Sequence, residues 1–210
     1  MHIGFGAGIG QYHSAYDTVR YYDQFQDGDR RFGVALSQVL LTSLLRLSDA
    51  EVLPFEMQNL SGVVRTFVEE VRRQLPQGSG PPAVDFTELN LATLRLSVAA
   101  QTYDSSLSMR VTSLLQVNPI PPDLARKVNQ TLQQVEQAFA LEDGIPDRPW
   151  YRHQLFAPGL FTGYAAVTLP SIREPIDAHK WPEAAAQARR VAKALDDASD
   201  LIEHATELLK

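Results

Sequence analysis

Pro182-Glu-Ala-Ala-Ala-Gln-Ala-Arg-Arg-Val-Ala-Lys-Ala-Leu-Asp-Asp-Ala-Ser-Asp-Leu-Ile-Glu-His-Ala-Thr-Glu-Leu-Leu209 has the pattern of a long amphipathic helix. Proline opens it, in the first turn, where its missing N–H leaves no bond unmade. Ala184, Ala188, Val191, Leu195, Ala198, Ile202, Ala205 and Leu209 recur at three- and four-residue spacing and form one apolar stripe. Many of these residues are small, so a neighbouring helix can approach closely. A helix with one apolar side and a charged back needs other helices to cover it, and the rest of the chain supplies them.

Working back from it, four more segments share the helical period. Phe32, Leu36, Val39, Leu40, Leu44 and Leu47 mark one, with Asp29 as its candidate cap and Leu53-Pro54-Phe55 as its end. Met57, Leu60, Val64, Phe67, Val71 and Leu75 mark the next, and Pro76 to Pro82 then reads as a linker. Asp85 or Thr87 can cap a third helix that carries Leu89, Leu94, Leu96 and Val98 and runs toward Leu115, where Asn118-Pro-Ile-Pro-Pro122 stops it. Leu124, Val128, Thr131, Leu132, Val135 and Phe139 align on a fourth, which fades at Asp143-Gly144. From about 145 to 181 the chain loses this period and gains prolines and aromatics, which predicts a long loop with an interface or functional role. The expected fold is all-α: a bundle of about five amphipathic helices, a short N-terminal loop segment, and a long loop between the last two helices.

Composition narrows the function. The 210 residues, 44% hydrophobic and 21% charged, can bury a substantial core. A net charge of −6 with scattered Lys and Arg argues against a nucleic-acid partner. No apolar run approaches the length of a membrane-spanning helix. There is no cysteine, so thiolate metal sites and disulfides are excluded. Met1-His-Ile-Gly-Phe-Gly lacks the basic and apolar regions of a secretory signal. It reads like the end of a strand entering a loop, which suggests a chain cut from something longer.

The five histidines, His2, His13, His153, His179 and His204, form no His-x-x-x-His or Glu-x-x-His pair, so the residues alone offer no complete metal site. His13 stands out because it sits between Tyr12 and Tyr16, after a run with four glycines in seven residues (Gly4 to Gly10). An imidazole there can serve as a ligand or a proton carrier, or simply as a hydrogen-bonded half-buried side chain. Arg152 and His153 have a structural reading, with an arginine pairing a carboxylate inside the fold. His204 is expected on the solvated side of the last helix.

Tyr12-His13-Ser14-Ala15-Tyr16-Asp17-Thr18, followed by Asp49-Ala-Glu-Val-Leu-Pro-Phe55, resembles the last catalytic segment of the glutamate carboxypeptidase II family of zinc peptidases. Asp147-Arg-Pro-Trp-Tyr-Arg-His153, Phe156-Ala-Pro158, Tyr164 and Leu169-Pro170 resemble the transferrin-receptor-like dimerisation domain that ends those proteins. The motifs run in the family's order at roughly its spacing, and their specificity lies in the set.

The resemblance implies a division into residues 1–28, the end of a peptidase domain with the last zinc-ligand loop, and residues 29–210, the helical dimerisation domain. It makes His13 the final metal ligand, Tyr12 a catalytic neighbour, and Tyr164 a substrate-contacting residue, with Gly163 where glutamate-specific members carry lysine. Two zinc ions belong to the intact parent protein, with the other ligands and the general base upstream of Met1. This chain alone is therefore expected to hold no zinc and to hydrolyse nothing. The family's peptide substrate, homodimer and frequent extracellular, periplasmic or membrane-anchored setting are implied in the same way; nothing in the residues assigns a compartment. The function this supports is the C-terminal part of a dizinc exopeptidase, supplying dimer interface, pocket lid and one ligand histidine. The alternative is a non-catalytic dimerisation or receptor-type helical module; Tyr12-His13-Ser14 favours the former.

Overall fold

The computed structural model describes residues 13–76, 84–114, 120–160 and 165–210. The linker expected after Pro76 and the stop at Asn118-Pro119 lie almost wholly outside them. The chain divides into two compact units, residues 1–50 and 51–210.

In the first unit a short turn joins α1 (Val19–Phe25) to α2 (Arg31–Ser48). Thr18 caps α1 through its hydroxyl, which accepts from the Tyr21 N–H at 3.2 Å. The turn between the helices is organised by Asp27, a carboxylate only 3% exposed. Its oxygens accept from the N–H groups of Phe32 (3.0 Å) and Gly33 (2.9 Å) and from the Tyr22 hydroxyl (3.1 Å). Burial pushes the Asp27 carboxyl up, but these three donors and the Arg30 charge outweigh it and hold the group below the usual range. Asp27 thus satisfies two of the open donors at the start of α2, and the expected Asp29 accepts at 3.5 Å from a third, the Arg31 N–H. The expected helical period over Phe32–Leu47 does form a helix, yet no residue of α2 is buried.

The second unit contains α3 (Met57–Arg73), α4 (Thr87–Leu114), α5 (Pro122–Ala138), β1 (Phe156–Pro158), β2 (Ala166–Thr168), α6 (Pro170–Asp177) and α7 (Trp181–Leu208). α7 is its axis and packs against α4, α5 and α6, while α3 packs against α4. The stripe Ala184, Ala188, Val191, Leu195, Ala198, Ile202, Ala205 is entirely buried, so the alanines serve close packing within the chain. Leu89, Leu96 and Tyr103 of α4, Val64 and Val71 of α3 and Val128, Leu132 and Val135 of α5 complete the core. Asp85 caps α4, accepting from the Thr87 N–H at 2.8 Å, and Asp104 of α4 accepts from the Met57 and Gln58 N–H groups that open α3 (3.2 and 2.9 Å).

The architecture is all-α, with two features inside the expected 145–181 loop. β1 and β2 form an antiparallel ladder pairing Phe156 with Thr168 and Pro158 with Ala166. α6 follows, with Pro170 in its first turn and Pro175 within it. Three-residue strands are too short to show a period of two, and two prolines in eight residues mask a helix whose apolar side is nonetheless buried.

Candidate functional site

Two segments bear on function: the turn around His13 in the first unit and the β1–β2 loop in the second. His13 has φ 63°, a left-handed conformation unusual for a side chain with a Cβ, and is exposed. Ser14 shapes the turn that follows. Its hydroxyl accepts from the Tyr16 N–H at 3.2 Å and its carbonyl from the Asp17 N–H at 3.1 Å, leading directly into the Thr18 cap. Tyr12, Gly163 and Tyr164, the other expected site residues, lie outside the described residues.

The foot of the β1–β2 loop is built around Arg148, the arginine of the Asp147-Arg-Pro-Trp stretch. Its Nη2 donates to both carboxylate oxygens of Glu174 on α6, at 2.5 and 2.7 Å, and its Nη1 donates to the Pro158 carbonyl at the end of β1. Glu174 Oε1 also accepts from the Leu160 N–H at 3.2 Å, and the Gly159 N–H donates to the Ala165 carbonyl at 3.1 Å. One largely buried ion pair therefore ties the 145–151 turn, the end of β1, the start of the loop and α6 together. Gly144 makes the approach possible. It has φ +65°, and a Cβ there would stand 2.3 Å from the Pro149 carbonyl oxygen.

A second set of bonds fixes β2. Arg173 donates from Nε to the Thr168 carbonyl (3.1 Å) and from Nη2 to the Thr168 hydroxyl (2.7 Å) and Glu70 of α3 (3.2 Å). The two strands on either side of residues 161–164 are thus braced.

His153 is engaged within the fold. Its Nε2 meets Glu136 Oε1 of α5 at 2.9 Å, and the ring lies against Phe139 and Phe156. That hydrogen bond, working against partial burial, holds the Glu136 carboxyl below its usual range. The structural reading of this stretch holds, with the arginine role falling to Arg148 while the Arg152 side chain is exposed. His204 is exposed as expected. Sequence reasoning passed over Arg148 and Glu174; the signal for Arg148 was its place within the quoted motif, and for Glu174 there was none.

Among the described residues no three His, Asp or Glu side chains stand together as a group able to hold a metal ion. A zinc pair does not fit what these described residues present. Nor is any helix among them long and apolar enough to cross a membrane.

Relatives give this geometry its context. Residues 84–203 match the transferrin receptor-like dimerisation domain. The chain is 28% identical over 191 residues to a protein of Arthroderma benhamiae named "Probable glutamate carboxypeptidase", covering 91% of this chain and 25% of that protein. It is 26% identical over 202 residues to an aminopeptidase of Rattus norvegicus (94% and 26%). It is 25% identical over 199 residues to an inactive zinc metalloprotease of Schizosaccharomyces pombe (91% and 24%). The chain thus spans about a quarter of the length of the curated relatives it matches. Two differently named peptidases and one inactive relative share this region, so the similarity follows the helical scaffold rather than a single activity. With more than half of its length matched by that one model, the chain belongs to the transferrin receptor-like dimerisation domain family.

Proposed function

We propose that this chain works as a non-catalytic helical dimerisation module of a zinc-peptidase-type protein, forming a homodimer through its second unit. The observation that carries this is the family match over residues 84–203, which falls on a bundle with its own core. Sedimentation of the 210-residue chain at micromolar concentration tests it. A dimer is expected, and a strictly monomeric chain overturns the reading.

A second reading is favoured by the stretch Tyr12-His13-Ser14 and by the peptidase names of two relatives. Here residues 1–28 are the end of a peptidase domain and 29–210 its helical partner. His13 is one zinc ligand and Tyr12 its catalytic neighbour, while the loop with Gly163 and Tyr164 covers the pocket of a peptide substrate. The remaining ligands of two zinc ions would come from the rest of the intact protein. Gly163 brings no ammonium, so a substrate γ-carboxylate would lack an ion pair there, and selectivity for acidic side chains would be low. Zinc content and peptidase activity, measured on this chain and on an N-terminally extended form, separate the two readings. Zinc bound only by the extended form and lost in its His13→Ala variant supports the peptidase reading; no dependence on His13 removes it.

A further inference from the structure

The first unit has no core of its own. Among its described residues, 13–50, Asp27 alone is buried, and every buried apolar side chain of the described chain belongs to the second unit. Apolar residues are nonetheless plentiful there. Tyr16, Val19 and Phe25 are each at least 70% exposed, and no residue of α2 is buried. Helices in proteins are held chiefly by packing of an apolar face, and apolar burial is the main favourable term in folding. Residues 13–50 lack both.

The arrangement of side chains on α2 says how it must be covered. With about 100° between successive residues, Val39, Leu40 and Leu47 lie on one side and Val34, Leu41 and Leu45 on nearly the opposite side. All six are exposed. A helix on a domain surface carries one apolar stripe and a charged back, whereas a helix apolar on opposite sides is enclosed. Between Arg31 and Arg46 α2 has no charged residue, and Gln38 and Thr42 form only a narrow polar line. A single flat partner would cover one side and leave the other in water.

We infer that residues 13–50 belong to the core of another domain, with α2 enclosed between two apolar layers supplied by polypeptide beyond these 210 residues. This goes beyond the homodimer reading, and it moves the boundary implied by the family resemblance from residue 28 to residue 50. The relatives identify the occupant. The match to the Arthroderma benhamiae protein takes in 91% of this chain, too much to leave out residues 31–48, yet only 25% of that protein. The dimerisation-domain match begins at residue 84, so α2 lies outside it. The α2 segment is thus shared with proteins long enough to enclose it and stands apart from the module matched to dimerisation. A second copy meeting α2 across a twofold axis would reach one side of the helix only.

Amide hydrogen exchange, measured on the 210-residue chain and on an N-terminally extended form of its relatives' length, tests this. Exchange over residues 31–48 should be at least about a hundredfold slower in the extended form, with α4 and α7 alike in both. Val39→Glu and Leu41→Glu, one on each side of α2, should each speed that exchange at least about tenfold in the extended form, since each sets a charge among apolar side chains. Neither should alter exchange of α4 or α7 in the 210-residue chain. If only one variant acts, α2 lies on a domain surface and the enclosure is overturned. Equally fast exchange of α2 in both wild-type forms overturns the inference even where a variant fails to fold. Protection already present in the 210-residue chain, and lost together with its dimer in Leu41→Glu, assigns the helix to a second copy; protection gained only on phosphatidylcholine vesicles assigns it to a lipid surface. Either result overturns the inference. Sedimentation reads the homodimer separately, so a monomeric 210-residue chain with α2 protected in the extended form removes that reading and supports this one.

Discussion

Replacing Arg148 with alanine removes a side chain that joins the 145–151 turn, β1 and α6. In the folded protein Arg148 and Glu174 keep only 10% and 20% of their side-chain surfaces exposed. Truncation leaves the Glu174 carboxylate accepting from the Leu160 N–H and takes a guanidinium donor from the Pro158 carbonyl. Breaking a buried pair by removing one partner costs about 3–5 kcal/mol, most of it the desolvation of the charge left behind. The remaining exposure of Glu174 argues for the lower end, about 3 kcal/mol. In a domain of this size that lowers Tm by about 6–12 °C. Calorimetry on the wild type and Arg148→Ala measures the shift, and hydrogen exchange locates it, with the largest loss of protection at Phe156–Thr168. The double variant Arg148→Met/Glu174→Gln should recover more than half of the loss, since it leaves no charge unpaired. A change under about 0.5 kcal/mol in Arg148→Ala, the level of an ordinary surface substitution, would refute the assignment of this pair as the brace of the loop.

Tyr103 is fully buried in α4 and its hydroxyl meets no hydrogen-bond partner among the described residues; burial pushes its pKa well above normal, aided by the nearby Asp104 charge. Tyr103→Phe is therefore expected to leave stability unchanged or raise it by about 1 kcal/mol in denaturant titration, and a loss beyond about 1 kcal/mol would point to a partner for the hydroxyl. Gly144→Ala combines a positive φ with a Cβ overlapping the Pro149 carbonyl and should cost more than about 1–3 kcal/mol by thermal unfolding. The Glu136 carboxyl is depressed in the folded state, so its contribution is full above the unfolded value near 4.5 and is lost as pH falls through the folded value. Since the Glu136 side chain is 65% exposed, Glu136→Gln should cost less than about 1 kcal/mol at pH 6, with the difference from wild type shrinking as pH falls below 4.5.

The long helices were legible in the sequence because each buries one continuous stripe, and burial imposes the three-and-four spacing that α3, α5 and α7 display. α1 was not, since seven residues with no buried face leave no period to read. β1, β2 and α6 were hidden for a related reason: their stability comes from side chains distant in sequence, as when Arg173 joins Thr168 to Glu70. The α2 stripe shows the converse, because its period predicted a helix correctly while saying nothing about a partner. Site residues followed the same division. His13 was found through its neighbours in sequence, whereas the Arg148–Glu174 pair spans 26 residues and exists only once α6 is in place.

The position of α7 also governs how the bundle can assemble. Its contacts with α4 close a stretch of about a hundred residues, as between Arg95 and Asp200. Until that closure is made, α4 has only α3 to cover its apolar side and α5 lacks the helix it packs on, and the entropy of joining such remote segments must be met before that packing is gained. Folding of the second unit should therefore be a single slow event with a transition state that already contains α7, and a polypeptide halted before residue 181 should be a target for chaperones and proteases.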